Sequence, residues 1–328
     1  TIGVPGSTMD ETVHAQHISD AFSTNHHVLQ IEKPSLDLLT DLAPFIDEPI
    51  ADSSILPSFM ISRLTRQHVT VALGGDGGDE LFGGYQHYQD ILRDTKLLNW
   101  MPGVALRCMS GLAARLPAGI PGRNRVASLR NGPAQSGIWG TPFFDYDLRR
   151  RLLKPDMLDV LGEGLAAPEY RSVPFLQNSS DVVDSLTRMD FQQLLPDDYL
   201  VKVDRASMAN SLEVRTPFLD HRLIEFAFSR IPSEWKCNLN ERRRVQNLMA
   251  KKYLPKEFEL NRKQGFSVPM DAWIRDAPTD QLIEEIPQDI FNINFIKDLV
   301  VGQSRGRTNG ARLFALIMFN LSSLNKVD

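Results

Sequence analysis

Hydrophobic and polar positions alternate between two periods over the first hundred residues of the chain. Residues 11–22 read as a helix, and His27-Val28-Leu29-Gln30-Ile31 as a short strand. Residues 53–66 place Ile55, Leu56, Phe59, Met60 and Leu64 near helical spacing. They lead into the β-rich run Val69-Thr70-Val71-Ala72-Leu73, which predicts a buried strand. Strands alternating with helices predict a parallel sheet with helices on its faces. The run then breaks into Gly74-Gly75-Asp76-Gly77-Gly78-Asp79-Glu80. From about residue 90 the pattern changes and predicts no further strand pair. Pro117, Gly119, Pro121, Gly122, Gly132 and Pro133 punctuate residues 116–140, which read as a long connection. Helical patterns follow at 185–195, 199–210, 221–228, 242–253 and 309–324. The expected organisation is an α/β portion over 1–95 and a mostly helical portion over 96–328, without internal repeats or low-complexity tracts.

Composition narrows the function classes. The chain carries 36 Lys plus Arg against 41 Asp plus Glu, a net charge of −5, where a general nucleic-acid binder needs a basic footprint. With 42% hydrophobic and 23% charged residues it reads as a folded soluble protein, and 328 residues at roughly 150 per domain suggest about two domains. Cys108 and Cys237 lie far apart and no Cys/His cluster has zinc spacing, so neither a disulfide framework nor a structural zinc is expected, and a reducing cytoplasm is. No apolar run approaches the roughly 20 residues of a membrane span. The strand-like opening Thr1-Ile2-Gly3-Val4 carries the expectation that the sequence starts inside a domain. Neighbouring His26 and His27 would point to opposite faces of a strand, which argues against a metal pair. The basic runs at 149–151 and 242–244 read as solvated helix faces, and Trp100, Trp139, Trp235 and Trp273 as packing residues.

The glycine-acid loop carries the chemistry. Glycines let successive main-chain N–H groups form a nest for an anion, and the carboxyl end of a parallel strand is where open α/β sheets bind ligands. Acids beside such a nest suit a metal-bridged phosphate, because Mg²⁺ takes one or two carboxylates together with phosphate oxygens. The same residues also fit a tight turn followed by helix N-terminal acids. Neither an EF-hand nor a Walker loop fits: alternating ligands with a closing Glu are missing, and so is a Lys-Ser/Thr pair.

The segment Val69-Thr-Val-Ala-Leu-Gly-Gly-Asp-Gly-Gly-Asp-Glu-Leu-Phe-Gly-Gly-Tyr85 resembles the strand-loop-helix of the glutamine-dependent asparagine synthetase family. The likeness extends to Asp47-Glu48-Pro49, Ala51-Asp52-Ser53-Ser54, Ser211-Leu-Glu-Val-Arg-Thr-Pro-Phe-Leu-Asp220 and Arg262-Lys-Gln-Gly-Phe-Ser-Val-Pro269, in family order. The resemblance implies an ATP-pyrophosphatase-type synthetase domain with a parallel-sheet core. Such a domain uses ATP and Mg²⁺ to convert aspartate to asparagine through a β-aspartyl-AMP attacked by ammonia, which an N-terminal glutaminase domain supplies. It leaves room for a homodimer, and for relatives with another acyl substrate, such as β-lactam synthetases, or a truncated non-catalytic homologue. By position, Asp76, Asp79 and Lys263 fall on catalytic positions, with Asp79 on the metal. Ile2, Gly74, Gly75 and Tyr85 fall on nucleotide-binding positions, and Asp204 and Glu213 on the acyl-acceptor side. Glu213 and Arg215 equally fit a structural ion pair in an irregular segment. Lys263 would offset charge on departing pyrophosphate.

The sequence departs from the family in four respects. The pyrophosphate loop Ser-Gly-Gly-x-Asp-Ser and the glutaminase cysteine are absent from the 328 residues, Gly74 stands where the family usually has Ser, and Asn247 where it usually has Arg. The expectation is a fragment of a longer chain with little activity by itself. Mg-ATP is therefore expected to bind these 328 residues weakly or not at all, and micromolar binding by calorimetry would contradict this.

Overall fold

The computed structural model describes residues 1–3, 10–30, 37–131, 143–177, 180–255, 258, 260, 270–275 and 285–324. Helices dominate, and two short parallel pairs carry the β structure. β1 (Ile2–Gly3) pairs with β2 (Leu29–Gln30), and β3 (Val71–Leu73) pairs with β4 (Glu213–Arg215) in the register Val71↔Glu213 to Leu73↔Arg215. Parallel strands cannot be joined by a hairpin and need a crossover. Helix Thr12–Phe22 lies in the first crossover, and the second takes in most of the helical portion. The chain is α/β with parallel pairing, as the alternating pattern predicts. Helices Ile55–Thr65, Leu200–Met208, His221–Ser229, Arg244–Tyr253 and Gly310–Leu324 occupy predicted windows.

Several expectations are corrected. β3 is not a buried strand: Val71 is 39% and Leu73 75% exposed, because among the described residues only β4 flanks it. Residues 213–215 are not irregular but form β4, whose partner β3 lies before residue 90, so among the described residues a strand, but no strand pair, follows that point. Only Val214 there is apolar, so the strand is specified by its partner and has no pattern of its own. Part of the expected long connection is helical, with helix Arg123–Ser128 and the 3₁₀ turn Leu129–Asn131, while 132–140 lie outside the described residues. Trp100 is 79% exposed and does not pack; Trp139 and the side chain of Trp273 lie outside what is described. The basic runs are not simply solvated. The Arg149 guanidinium is paired with largely buried Glu169, and Arg242 donates to the Gly84 carbonyl (3.1 Å). Cys108 and Cys237 are both free, in line with the expected absence of a disulfide.

The main core joins both portions of the chain. Leu42, Ile55, Leu56 and Phe59 from the first meet Leu148, Ala206, Ile274, Ile296, Phe314 and Met318 from the second. Burying such a side chain contributes roughly 1.5–3 kcal/mol. A smaller cluster of Leu81, Phe82 and Ala227, flanked by Phe191, Phe218 and Ile224, fixes the short helix that follows the glycine loop. Helix Gly103–Arg115 is tied to the helices after it by a buried ion pair. Arg123, 2% exposed, binds the Asp145 carboxylate and donates to the Ala114 carbonyl (3.0 Å).

Asp145 also caps helix Tyr146–Leu152 by accepting from the Leu148 N–H at 2.9 Å. Asp145→Asn keeps a good cap but leaves the Arg123 guanidinium buried without its counter-charge, which costs about 3 kcal/mol. Arg171→Ala, at a pair whose side chains are 60% and 50% exposed, costs under about 1 kcal/mol. Urea unfolding of the two variants separates them, and equal midpoints would refute the assignment.

Candidate active site

β3 hands the chain at its carboxyl end to the glycine loop. The Gly74 N–H donates to the Arg215 carbonyl (2.8 Å), extending the ladder by one residue. Gly77, at φ +88°, starts helix Gly78–Phe82, and a Cβ there would stand 2.4 Å from Leu219 Cδ2, so glycine is required by both backbone and space. At Gly74 a Cβ would come 2.9 Å from Asp76 Oδ2: the Asp76 carboxylate folds back over the position where the family usually carries a serine. Buried Leu81 and Phe82 clamp the helix, with Phe82 edge-on to Phe218 at 6.1 Å. Asp76 and Asp79 are thereby held half-buried at the helix start, with Gly75 exposed between strand and helix and Glu80 turned inward. The Asp79 carboxylate lies against Gly84, where a Cβ would come 1.7 Å from Oδ1.

Tyr85 closes this side of the site. Its hydroxyl donates to Glu80 Oε1 at 2.5 Å, and burial pushes both the phenol and the carboxyl above their usual ranges. The Tyr85 ring stacks on His87 (5.3 Å) and leans on Tyr199 (6.1 Å). Behind it, the Tyr88 hydroxyl (2.7 Å) and His87 Nε2 (2.9 Å) converge on Asp190 Oδ2.

The opposite wall comes from a π-helical turn, Leu195–Tyr199, which runs directly into helix Leu200–Met208. Such bulges shift the helical register locally and occur frequently at functional sites. Lys202, 7% exposed, donates from Nζ to Asp52 Oδ2 (2.6 Å) and Ser54 Oγ (2.8 Å), and sits 4.5 Å from the centre of the Tyr199 ring. Burial, with the neighbouring Asp52 charge, pushes Asp198 up to about 6 against the pull of Lys202. Burial likewise raises Asp76, again opposed by Lys202. One ammonium is therefore shared among Asp52, Asp76 and Asp198. Among the described residues these carboxylates outnumber the one ammonium beside them.

The remaining candidates are distributed as follows. Asp204, two residues beyond Lys202 and so on another face of the helix, pairs with Arg205 (2.7 Å), which also grips Asp47. Glu213 sits in β4 and pairs with Arg215 (2.7 Å). Both carboxylates are more than half exposed. Ile2 lies in β1 beside Leu29, and Lys263 lies outside the described residues. Asn247, inside helix Arg244–Tyr253, ties it to the preceding turn by donating to the Arg242 carbonyl (3.0 Å) and Glu241 Oε1 (3.2 Å). Among the described residues no group of three His, Cys, Asp or Glu side chains forms a metal cage. The pattern reading missed Lys202, Asp198 and Tyr199. Asp198 and Lys202, four apart, looked like any exposed helix pair, and only their burial distinguishes them.

Comparison with known proteins identifies the family. Residues 1–321 match the family profile described as Asparagine synthase. Asparagine synthetase (glutamine-hydrolysing) 1 of Bacillus subtilis strain 168 is 30% identical over 250 residues, covering 75% of this chain and 38% of that protein. A protein of Mycobacterium tuberculosis strain H37Rv, given the same enzyme name provisionally, is 29% identical over 265 residues, covering 81% of this chain and 38% of its own length. The chain thus spans about 38% of the length of these curated relatives. No helix among the described residues is long and apolar enough to cross a membrane. Since the family match runs through β1, the glycine loop and the Lys202 helix alike, the chain belongs to the asparagine synthase family.

Proposed function

We propose that this chain is the synthetase portion of an ATP-dependent amide ligase that makes asparagine from aspartate through a β-aspartyl-AMP intermediate. On this reading residues 1–95 are an ATP-pyrophosphatase-type core and 96–328 complete its site. Ammonia comes from glutamine, hydrolysed by a glutaminase domain expected upstream. The observation that carries the reading is the cluster of Asp52, Asp76 and Asp198 around Lys202, beside a glycine loop at the carboxyl end of β3.

The chemistry asks for such a cluster. A carboxylate attacking the α-phosphate brings two anions together, and the departing pyrophosphate gathers charge. Lys202 is buried and held by Asp52 and Ser54, so it is a fixed cation that needs no reorganisation as charge develops. Lys263, in a segment that resembles the family's, supplies a second. The described carboxylates outnumber Lys202, and burial makes the ionised forms of Asp76 and Asp198 costly, so a divalent cation would stabilise them. Asp79 and Asp76 would hold Mg²⁺, which supplies neutralisation of the phosphate oxygens when bound. Tyr85, pinned by Glu80 and Tyr199, forms a rigid aromatic wall against which a nucleotide can lie. Gly74 and Gly75 allow main-chain approach to its phosphates.

With protein expressed from its complete reading frame, AMP, pyrophosphate and asparagine should form in equal amounts and only when aspartate, ATP, Mg²⁺ and a nitrogen source are all present. Lys202→Met should lower that rate by about 10²–10³. Turnover of another carboxylic acid with none of aspartate would overturn the substrate assignment, and an unaffected Lys202→Met would remove Lys202 from the machinery.

Asp198 gives a pH signature. Its affinity for protons is higher in the folded state than in the unfolded chain, where its value is near the ordinary 3.8. The folded state therefore holds more protons between about pH 4 and about pH 6, so Asp198 contributes stability at the acid end that is lost as pH rises through that window. Asp198→Asn should gain in urea midpoint relative to the parent as pH rises from about 4 to about 7. Parallel pH profiles would show that Asp198 titrates normally.

A further inference from the structure

A cavity of about 670 Å³ opens among the helices that follow the glycine-loop region, and none of its lining residues belongs to the Lys202 cluster. Arg107 and Arg115 line it from helix Gly103–Arg115, Arg130 from the turn Leu129–Asn131, and Arg150 and Arg151 from helix Tyr146–Leu152; Asp147 is the single acid among the described residues of its wall. We propose that this cavity binds a small anion carrying two or more phosphate groups.

The charges in its wall call for such a ligand. Neighbouring arginines are neutralised within the fold: Arg123 by Asp145, Arg125 by Asp94 and Arg149 by Glu169. In the cavity Arg130 takes Asp147, whereas Arg107, Arg115 and Arg150 have no acidic partner among the described residues. Arg151 is positioned by an aromatic face instead of an acid, its guanidinium lying 4.8 Å from the centre of the Phe295 ring. Among the described residues the wall thus draws on five arginines and one aspartate. Arg107, Arg115, Arg150 and Arg151 are solvent-exposed, so water screens their mutual repulsion, and what their grouping creates is a positive local potential that attracts a polyanion. Two phosphate groups bring about −3 to −4. Planar guanidiniums converging from three elements can grip phosphate oxygens in pairs.

Size and chemistry favour a compact ligand. Among the described residues no aromatic side chain lines the cavity, so they offer no platform on which the bases of a nucleic-acid strand could stack. Its floor is open at Gly111, which has nothing within 4 Å of the position a Cβ would take. That glycine lies one helical turn from both Arg107 and Arg115, on the same face.

Calorimetry of the 328-residue protein at fixed ionic strength, with tripolyphosphate, pyrophosphate, orthophosphate and citrate, tests this. The two polyphosphates should bind at least about tenfold more tightly than orthophosphate or citrate. Arg107→Gln with Arg150→Gln should weaken tripolyphosphate by about tenfold or more. Gly111→Glu puts a carboxylate into open space and replaces a poor helix former with a good one. It should abolish binding while the unfolding midpoint holds or rises, which guards against a folding artefact. Lys202→Met should leave tripolyphosphate binding unchanged, separating this cavity from the proposed active site. The proposal is overturned by undiminished affinity in Gly111→Glu, by loss of binding in Lys202→Met, by equal affinity for citrate, or by tighter binding of a single-stranded oligonucleotide than of tripolyphosphate.

Discussion

Because β3 and β4 run parallel, residues 71–73 and 213–215 can meet only after the chain has made a long return, and what that return delivers is the second wall of the site. Helix Leu200–Met208 ends a few residues before β4, so the register Val71↔Glu213 fixes where its side chains stand relative to the loop that leaves β3. The same helix packs on Ile55–Thr65 through buried Ala206, and Asp52 and Ser54 lie just before that helix. One short ladder and one helix contact therefore bring 52–54, 74–80 and 198–202 together from three distant stretches. A slip of one residue would turn Val214 and its neighbours to the wrong faces and draw the Lys202 helix out of reach of Asp52.

What has been assembled there is electrostatically incomplete. A buried lysine is tolerable when paired, and Asp52 with Ser54 meets that condition. Asp76 and Asp198 are then left with a share of a cation already committed, and burial makes their ionised forms costly. A fold selected for stability alone would export one of these acids to solvent, as it does with Asp204 and Glu213, whose ion pairs stand in water. Retention of the acids inside is the feature that the proposed ATP and Mg²⁺ site would account for. The π-helical turn has the same logic, since it trades regular hydrogen bonding for a register in which Asp198, Tyr199 and Lys202 all reach the pocket.

Much of this was legible before any coordinates. The periodicity of 53–66 and 309–324 predicts helices that form, and the glycines around Asp76 predict a strand-loop-helix that forms, because in both the local signal and the tertiary demand agree. Glu213-Val214-Arg215 was illegible as a strand since two of its three side chains are charged, and its β conformation comes from partnership with β3. The exposure of Leu73 was equally hidden: an apolar run reads as buried, and whether neighbours cover it is a property of the whole molecule. Lys202 was hidden for the reverse reason, as a lysine in a polar helix that only packing reveals to be interior. Within 116–140 the helical turns of 123–131 are hidden because glycine and proline punctuate the stretch, while Arg123 and Asp145, 22 positions apart, supply a buried tie that no local window can see.

The arginines complete the electrostatic picture. Across the described fold, carboxylates are spent on guanidiniums wherever a helix must be held to its neighbour, as with Arg123 and Arg149, and also at exposed pairs that stabilise little, such as Arg171 with Asp197. Against that background, leaving Arg107, Arg115 and Arg150 unpaired around one concavity is not a shortage of acids, because the chain carries 41 of them to 36 basic residues. The surplus of negative charge collects around Lys202 and the surplus of positive charge around Gly111, on walls that share no residue. Two surpluses of opposite sign would lower the energy of the fold by meeting. Holding them on separate elements gives each cavity a local field that attracts a counter-charge from outside the chain.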